Sequence, residues 1–358
     1  MSAARGLRVR PLALAIALVL SLVVLVPLSV RVGVAPIATS DLLRGAGAAL
    51  GFGEPLDPTA QTIAELRLWR AITAALVGAS LALSGGLVQG LFRNPLASPS
   101  LLGVTGGASL GAALAILALG GYAPRGVIEY GGGPATIGVP LCSFVGALVA
   151  VLFVAGVAAP HGRLSTPTLL LVGIAVNMCV AGAFAALQSL TLRDWEVSRA
   201  ILAWTFGTLD DRSSLHALTA GVGLLIALGA VPFVARELDL LQGGEADAQA
   251  LGVDVLRTKL IGLVAAALAA SCAVAVAGQI AFVGLVVPHL VRLGSTRSHR
   301  SLLWLCALAG AVFLLGTDLA QRAVLGAAAL QPGVVMSLIG GPFFLFLLIR
   351  HRREVGAW

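Results

Sequence analysis

The sequence predicts an all-α membrane protein with about ten transmembrane helices in a single domain, residues 1–358. Composition is the first reason: 58% of the 358 residues are hydrophobic and only 11% are charged, whereas a soluble domain has roughly 25% charged residues. The mean hydropathy of +1.00 agrees. The apolar residues also fall in runs of about 20, the length of helix that crosses a bilayer core.

The apolar runs place these helices along the chain. The predicted spans are 11–31, 67–88, 99–119, 137–159, 167–189, 214–235, 259–277, 279–293, 302–321 and 334–350. The run 279–293 reaches only about 22 Å, so spans seven and eight either both cross or form a re-entrant hairpin shielded by other helices. After span five, SRAILAWTFG predicts a short helix that ends at Gly207. It is either an interfacial helix anchored by Trp204 or an ordinary surface helix.

The basic residues predict how the helices are oriented. Most of the 23 Lys and Arg residues lie before span one, in the even-numbered loops or after span ten. Positively charged loops stay on the cytoplasmic side, so both termini are expected in the cytoplasm and the chain in the cytoplasmic membrane. The first apolar run resembles a signal peptide, but it is long and no convincing cleavage site follows, which favours an uncleaved first span.

Two motifs that would indicate an ATPase or a metalloprotease are absent from the sequence. The single lysine, Lys259, is not part of a GxxxxGK[ST] phosphate loop, and HExxH does not occur. The four cysteines (Cys142, Cys179, Cys272 and Cys306) show no metal or disulfide spacing and are expected to be small buried residues. We therefore expect no catalytic residue, no metal site and no cofactor bound by this chain. Scattered arginines without a basic helix also argue against nucleic-acid binding.

Acidic residues are nearly absent from the span interiors, where a proton- or sodium-coupled carrier usually keeps an ionisable relay. Asp318 is the exception, and it precedes Arg322 by four residues, so an ion pair on one helix face is expected. Span five carries Thr166, Asn177 and Gln188 at intervals of eleven residues, about three helical turns, which puts them on one face. They form either interhelical hydrogen bonds or the sparsely polar wall of a pore.

A polar stretch interrupts the apolar runs from Glu237 to Asp254 and holds five of the sixteen acidic residues. Gly244 precedes EADAQAL and Gly252 follows it, which predicts a short helix with acidic residues in its first turn. It is either a solvated linker or a docking surface for another subunit.

Several stretches together resemble the FecCD-type permeases of ATP-driven importers for iron-siderophores, haem and cobalamin. They are RLWRAITAALVGASLALSGGLVQGLFRNPLASPSLLGVTGGASLG (67–111), GRLSTPTLLLVGIAVN (162–177), GEADAQALGV (244–253), GQIAFVGLVVPHLVR (278–292) and GGPFFLFLLIR (340–350). They occur in the family's order and cover most of the chain. The resemblance implies the type II importer fold, in which five helices recur as an inverted repeat.

The resemblance also implies partners and roles for individual residues. Two permease subunits, identical or paralogous, would bind cytoplasmic ATPase subunits, which hold ATP and Mg, and would receive substrate from an extracytoplasmic binding protein. Residues 237–258 would form the cytoplasmic coupling loop, with Gly244, Glu245, Asp247, Ala250, Leu251, Gly252 and Arg257 as its contact residues. The translocation path and gate would comprise Ser165, Thr166, Asn177 and Gln188. Arg67, Arg70 and Arg322 would either dock the binding protein or anchor helix ends at the interface.

The sequence thus favours an importer permease for a ferric siderophore or a similar metal chelate. A cobalamin or haem permease is the nearest alternative. An ion-coupled secondary transporter is the alternative from another class of protein, and a membrane-embedded enzyme is disfavoured by the missing motifs.

Overall fold

The computed structural model describes residues 9–33, 37–52, 54, 56–119, 134–158, 166–296 and 298–355. Every regular element in these ranges is helical. The α-helices are α1 (Pro11–Arg31), α2 (Thr39–Ala49), α3 (Pro58–Phe92), α4 (Val104–Ala118), α5 (Pro134–Ala158), α6 (Thr166–Thr191), α7 (Trp195–Thr205), α8 (Ser214–Leu241), α9 (Glu245–Ala250), α10 (Val255–Ala277), α11 (Val283–Gly294), α12 (His299–Leu325) and α13 (Pro332–Val355). Seven are long and apolar enough to cross a membrane, and α4, α11 and part of α13 are shorter apolar helices. These ten account for the ten predicted spans, and the fold class is confirmed.

Helix α3 lies at the centre of the bundle. In its most apolar window 83% of the residues are buried, and α10 follows with 78%. Helices α8, α10, α11 and α12 all pack against α3, whereas α4 packs mainly against α5 and α6. Only 11% of the corresponding window of α6 is buried within the chain. The apolar surface of α6 is therefore available to lipid or to another subunit.

Two features at the start of the bundle differ from the prediction. Helix α3 begins at Pro58 instead of residue 67, because Asp57 caps it by accepting a hydrogen bond from the Ala60 amide at 3.2 Å. Its 35 residues extend about 52 Å, well beyond a bilayer core. Helix α2 was not predicted, since its low hydrophobicity hides it in a hydropathy profile. It buries Leu42 against Leu68 of α3.

Glycines bring α3 into backbone contact with two neighbouring helices. A Cβ atom at Gly78 would overlap the carbonyl oxygen of Gly310 on α12, and one at Gly310 would overlap the carbonyl oxygen of Gly78. A Cβ atom at Gly85 would likewise overlap the Gly284 carbonyl of α11. Small residues at such crossings allow the dispersion contacts that hold membrane helices together.

Both central helices are followed by a break and then by a short helix. After α3, a 3-10 turn (Pro99–Leu102) leads to Gly103, whose φ of 85° sets the direction of α4. After α10, Phe282 has a φ of 66° at the start of α11. Spans three and eight therefore begin a few residues later than predicted. Each break ends on a residue with a positive φ, Gly103 before α4 and Phe282 before α11.

Helix α7 confirms the short helix predicted after span five, and Gly207 follows it with a φ of 73°. The predicted role of Trp204 as an interfacial anchor is wrong, because Trp204 is buried with Val197 and Ile201 in the hydrophobic core. These three residues recur at helical spacing and form the buried face of α7. The exposed tryptophan of this helix is Trp195.

The cysteines divide into two pairs. Cys272 and Cys306 are buried as expected, but Cys142 and Cys179 are exposed. The difference arises because α5 and α6, which carry the exposed pair, lie at the periphery of the bundle.

We predict that Gly310→Ala destabilises the protein by about 1–3 kcal/mol, the usual cost of overpacking. The added methyl group would push α12 away from the Gly78 carbonyl. Thermal unfolding of the detergent-solubilised chain measures the effect. Gly229→Ala is the matched control, because a Cβ atom at Gly229 of α8 meets no atom within 4 Å. Equal stability of the two variants would contradict the prediction.

Candidate functional site

The first candidate region is the α9 segment, defined as residues 244–257. Gly244 (φ 129°) precedes α9 and Gly252 (φ 84°) follows it, as the sequence predicted for a short helix between two long ones. Glu245 Oε1 accepts a hydrogen bond from Lys259 Nζ of α10 at 2.8 Å. Ala248, a residue of α9 itself, is fully buried. The ion pair and the buried alanine fix α9 against the ends of α8 and α10.

The acidic residues of this segment have different environments. Asp254 caps α10 by accepting a hydrogen bond from the Arg257 amide at 3.0 Å. Glu245 is occupied by its ion pair with Lys259. Asp247, in contrast, is exposed. The other exposed members of the predicted contact set are Ala250, Leu251, Gly252 and Arg257.

A second cluster joins the end of α8 to the start of α12. Asp239 Oδ1 accepts a hydrogen bond from the His299 amide at 2.8 Å and lies 2.7 Å from His299 Nδ1. Asp239 Oδ2 accepts a hydrogen bond from Ser298 Oγ at 2.7 Å. The acidic stretch from Glu237 to Asp254 therefore includes a residue, Asp239, that connects two long helices.

A cavity of about 420 Å³ lies beside the α9 segment, between α8 and the start of α10. Arg236, Glu237, Leu251, Asp254 and Arg257 are among its lining residues. The Glu237 Oε2 atom is buried without a hydrogen-bond partner among the described residues. The α9 segment thus borders a recess that is both charged and apolar.

The second candidate region is a cavity of about 220 Å³ where the two breaks meet. Residues 98–100 and 279–282 line it from the two breaks. Gln279 Nε2 donates a hydrogen bond to Ser109 Oγ of α4 at 2.5 Å. Asn177 Nδ2 of α6 donates to the Ser100 carbonyl at 2.9 Å. Of the two interpretations of Asn177, the structure therefore supports the hydrogen bond between elements.

The other predicted path and gate residues are described only in part. Ser165 lies outside the described residues, and Thr166 is the first residue of α6, with an undescribed side chain. Gln188 is half-buried in the last turns of the same helix. Helix α6 therefore carries Thr166, Asn177 and Gln188 along its whole length, and their role in a path stays a prediction.

The third candidate region is the arginine cluster, which consists of Arg67, Arg70, Asp318 and Arg322. Asp318 Oδ1 lies 2.7 Å from Arg70 Nη2, and Oδ2 lies 3.1 Å from Arg70 Nε. Asp318 Oδ2 also accepts a hydrogen bond from Arg322 Nε at 2.9 Å. The predicted pair on the face of α12 is confirmed, and an arginine of α3 joins it. Asp318 is buried, so it needs both partners to offset its desolvation.

Arg322 and Arg67 also bind the end of α1. Arg322 Nη1 donates to the Val32 carbonyl at 2.7 Å, and Arg67 Nη1 donates to the Arg31 carbonyl at 3.3 Å. The last carbonyls of a helix lack partners within it and carry partial negative charge, which cationic side chains stabilise. Both arginines thus stabilise the C-terminal end of α1.

Arg70 has a further partner, Asp210, in the loop between α7 and α8. Beside this pair opens a cleft of about 1080 Å³, with Arg31, Arg67, Arg70 and Arg322 among its lining residues. The cleft and the α9 segment lie at opposite ends of α8, whose 28 residues extend about 42 Å. Sequence reasoning missed Asp210, because nothing local marks it as the partner of a residue 140 positions away.

Comparison with known proteins agrees with this arrangement. The model of the FecCD transport family matches residues 20–350. The chain belongs to the FecCD transport family. A FecCD relative from Halobacterium salinarum, a cobalamin import system permease protein, is 42% identical, with 87% of this chain and 78% of the relative covered. A hemin transport system permease protein from Yersinia pestis is 37% identical, with 81% and 83% covered.

A solved structure of a metal-chelate type ABC transporter in an inward-facing conformation has a similar fold, with a TM-score of 0.74. It is 28% identical, and the match covers 94% of this chain and 98% of that one. This FecCD protein is therefore a multi-span permease of the ABC importer class. The relatives from Halobacterium salinarum and Yersinia pestis are both named as permease proteins of import or transport systems.

We predict that Asp318→Asn destabilises the permease by about 3–5 kcal/mol, because it leaves two largely buried arginines without their shared counter-charge. Thermal unfolding in detergent measures the loss. Glu196→Gln, at an exposed position in the first turn of α7, is the control and should stay near the wild-type value. A loss at Asp318 no larger than that at Glu196 would refute the prediction.

Proposed function

We propose that this FecCD permease imports a large metal chelate across the cytoplasmic membrane, driven by ATP hydrolysis on a separate subunit. The α9 segment is the observation that carries the proposal. It presents an exposed surface at one end of the bundle, yet it is fixed to two long helices by the Glu245–Lys259 pair and buried Ala248. Such a segment can transmit the movement of a partner to the membrane helices.

A mechanical connection runs from the α9 segment into the bundle. Helix α10 starts at Val255, within the C-terminal part of the segment, and packs along α3 at the centre of the molecule. Ser84 Oγ of α3 donates a hydrogen bond to the Ala266 carbonyl of α10 at 2.6 Å. A displacement of α9 would therefore move the two most buried helices, instead of being lost in a flexible loop.

Helix α6 is the proposed wall of the translocation path. Its apolar surface is mostly exposed in the single chain, which suits a subunit that completes its path by pairing with a second permease. Ser165 and Thr166 would form the gate where the chain enters α6, and Gln188 would lie toward its other end. Asn177 lies between them and is held in place by its hydrogen bond to the Ser100 carbonyl.

The arginine-lined cleft is the proposed docking surface for an extracytoplasmic substrate-binding protein. Its lining has an excess of positive charge, and charge complementarity steers docking and fixes its register. With this cleft outside, the α9 segment and both termini lie on the cytoplasmic side. Arg70 is the best-placed contact, because Arg67 and Arg322 already bind carbonyls of α1.

The substrate class is a metal chelate such as cobalamin, haem or a ferric siderophore. Relatives at 42% and 37% identity are named for cobalamin and hemin, so these two compounds should be tested before ferric siderophores. The cavity where the breaks meet, about 220 Å³ in volume, is far too small for such a ligand. We therefore place the path between two subunits and not within one chain.

We predict that proteoliposomes take up labelled cobalamin, haemin or a ferric siderophore only when the ATPase subunits and ATP are both present. The chain has no phosphate loop of its own, so the energy must come from the partner. Omission of the ATPase, or of ATP alone, should reduce uptake to the level of empty liposomes. Undiminished uptake without the ATPase would contradict the importer and favour an ion-coupled carrier.

We further predict that Asp247→Lys reduces ATPase capture and ATP-driven uptake at least tenfold, because it reverses the exposed charge of α9. Glu245→Gln should have a smaller effect, since the amide oxygen can still accept the hydrogen bond of Lys259. Co-purification with the ATPase measures capture, and the elution profile in detergent reports folding. Asp41→Lys on α2 is a charge-matched control away from α9. Normal capture by the Asp247 variant would rule out this surface.

A further inference from the structure

Arg70 lies between two carboxylates with very different environments. The side chain of Asp318 is 0% exposed, and both of its oxygen atoms bind arginine. The side chain of Asp210 is 64% exposed and contacts only the outer nitrogen, Nη1, of Arg70. One guanidinium therefore has a permanent partner on its buried side and a solvent-exposed partner on the other.

The two ion pairs differ in how readily they break. Removal of Asp318 would leave buried arginines without a counter-ion, which is very costly. In the Arg70–Asp210 pair, Asp210 is 64% exposed although Arg70 is only 13% exposed, so water and salt can replace more of this interaction than of the fully buried contact with Asp318. The Nη1 side of Arg70 is therefore the exchangeable position of the arginine cluster.

The main chain around Asp210 is fixed, so an exchange needs only a side-chain rotation. The Thr208 amide donates to the Ala277 carbonyl of α10 at 2.8 Å, and Leu209 is fully buried. The Asp210 amide donates to Thr208 Oγ1 at 3.0 Å. These contacts hold the loop in place while the Asp210 carboxylate stays free to turn into solvent.

The other arginines of the cluster offer no comparable position. Arg322 uses Nε for Asp318, Nη1 for Val32 and Nη2 for the hydroxyl of Ser29 at 2.6 Å. Arg67 donates to main-chain carbonyls at the end of α1. Among the three arginines of the cluster, Arg70 can therefore accept an incoming carboxylate with the least loss of existing contacts.

We propose that Asp210 is a displaceable internal counter-ion, which occupies Arg70 until a carboxylate of the docking protein takes its place. The proposal rests on the proposed docking function of the cleft and adds the residue that regulates it. In the permease without a docked protein, the Asp210 carboxylate balances the positive charge of Arg70. It also makes docking selective, because an incoming partner must supply an acidic group that replaces Asp210.

Removal of the competing carboxylate should strengthen docking. We expect Asp210→Asn to lower the Kd for the binding protein at least roughly twofold, because the solvent-exposed carboxylate that competes for Arg70 is removed. The gain should shrink at high salt, where such pairs are screened. In an Arg70→Gln background, Asp210→Asn should bring no gain, because the shared partner is missing.

The test uses the full-length permease in lipid nanodiscs and, as probe, the substrate-binding protein encoded in the same gene cluster. Binding is measured for the wild type, Asp210→Asn, Arg70→Gln and the double variant. Glu196→Gln is the charge-matched control, since it removes one negative charge from α7, the helix that leads into the Asp210 loop. It should leave the Kd close to that of the wild type.

The outcomes separate this inference from the docking proposal. If the wild type does not bind the probe, both fail. If the wild type binds, docking stands, and an unchanged or weaker affinity of Asp210→Asn overturns the counter-ion role alone. An equal gain from Glu196→Gln would also overturn it, because it would show an effect of net charge. A gain for Asp210→Asn that persists without Arg70 would do the same.

Discussion

The rest of the structure depends on the backbone contact of α3 with α12 at Gly78 and Gly310. Apolar side chains gain little from leaving lipid for one another, so membrane helices are held together largely by close packing. The crossing also sets the register of the two helices. Arg70 precedes Gly78 by the same eight positions by which Asp318 follows Gly310. The close packing of these two glycines thus brings an arginine and an aspartate together about two helical turns, or roughly 12 Å, away.

The acidic residues of the permease fall into two classes, which differ in the partners they bind and in how far their side chains are exposed. Asp318, Asp239 and Glu245 bind partners on other helices and hold the ends of the bundle together. Asp210 and Asp247 are exposed at opposite ends of α8. The first class would be costly to disturb, whereas the second can exchange partners at little cost. The proposed importer, which would bind one protein at each end of the bundle, needs both classes.

Much of the fold could be predicted because hydropathy is a local property. Each apolar run of sufficient length must form a helix in a bilayer, so ten helices follow without knowledge of their packing. Asp318 and Arg322 could be paired because four residues of one helix separate them. The helix α9 was evident from its glycines and acids. Helix α2 and the start of α3 were missed because their polar residues resemble a loop when tertiary contacts are unknown.

The sequence predicted many of the residues of the candidate sites, but not which of them contact one another. Asn177 was expected on a helix face, yet its partner Ser100 lies in a turn that no periodicity reveals. Trp204 was assigned to the interface because aromatic residues favour it, and burial against the core outweighed that preference. The sequence shows how many acidic residues the α9 segment has, but not which of them are paired within the chain. The Glu245–Lys259 pair could not be predicted, because it spans a turn whose shape the sequence does not give.

The sequence by itself determined the class of protein, the number of apolar helices and the position of the polar segment between two of them. These depend on the free energy of moving each residue from water to lipid, which is summed along the chain. Tertiary structure alone decided which charges are permanent and which are exchangeable. That distinction depends on burial and on partners up to 248 positions away, and both arise only when the helices cross.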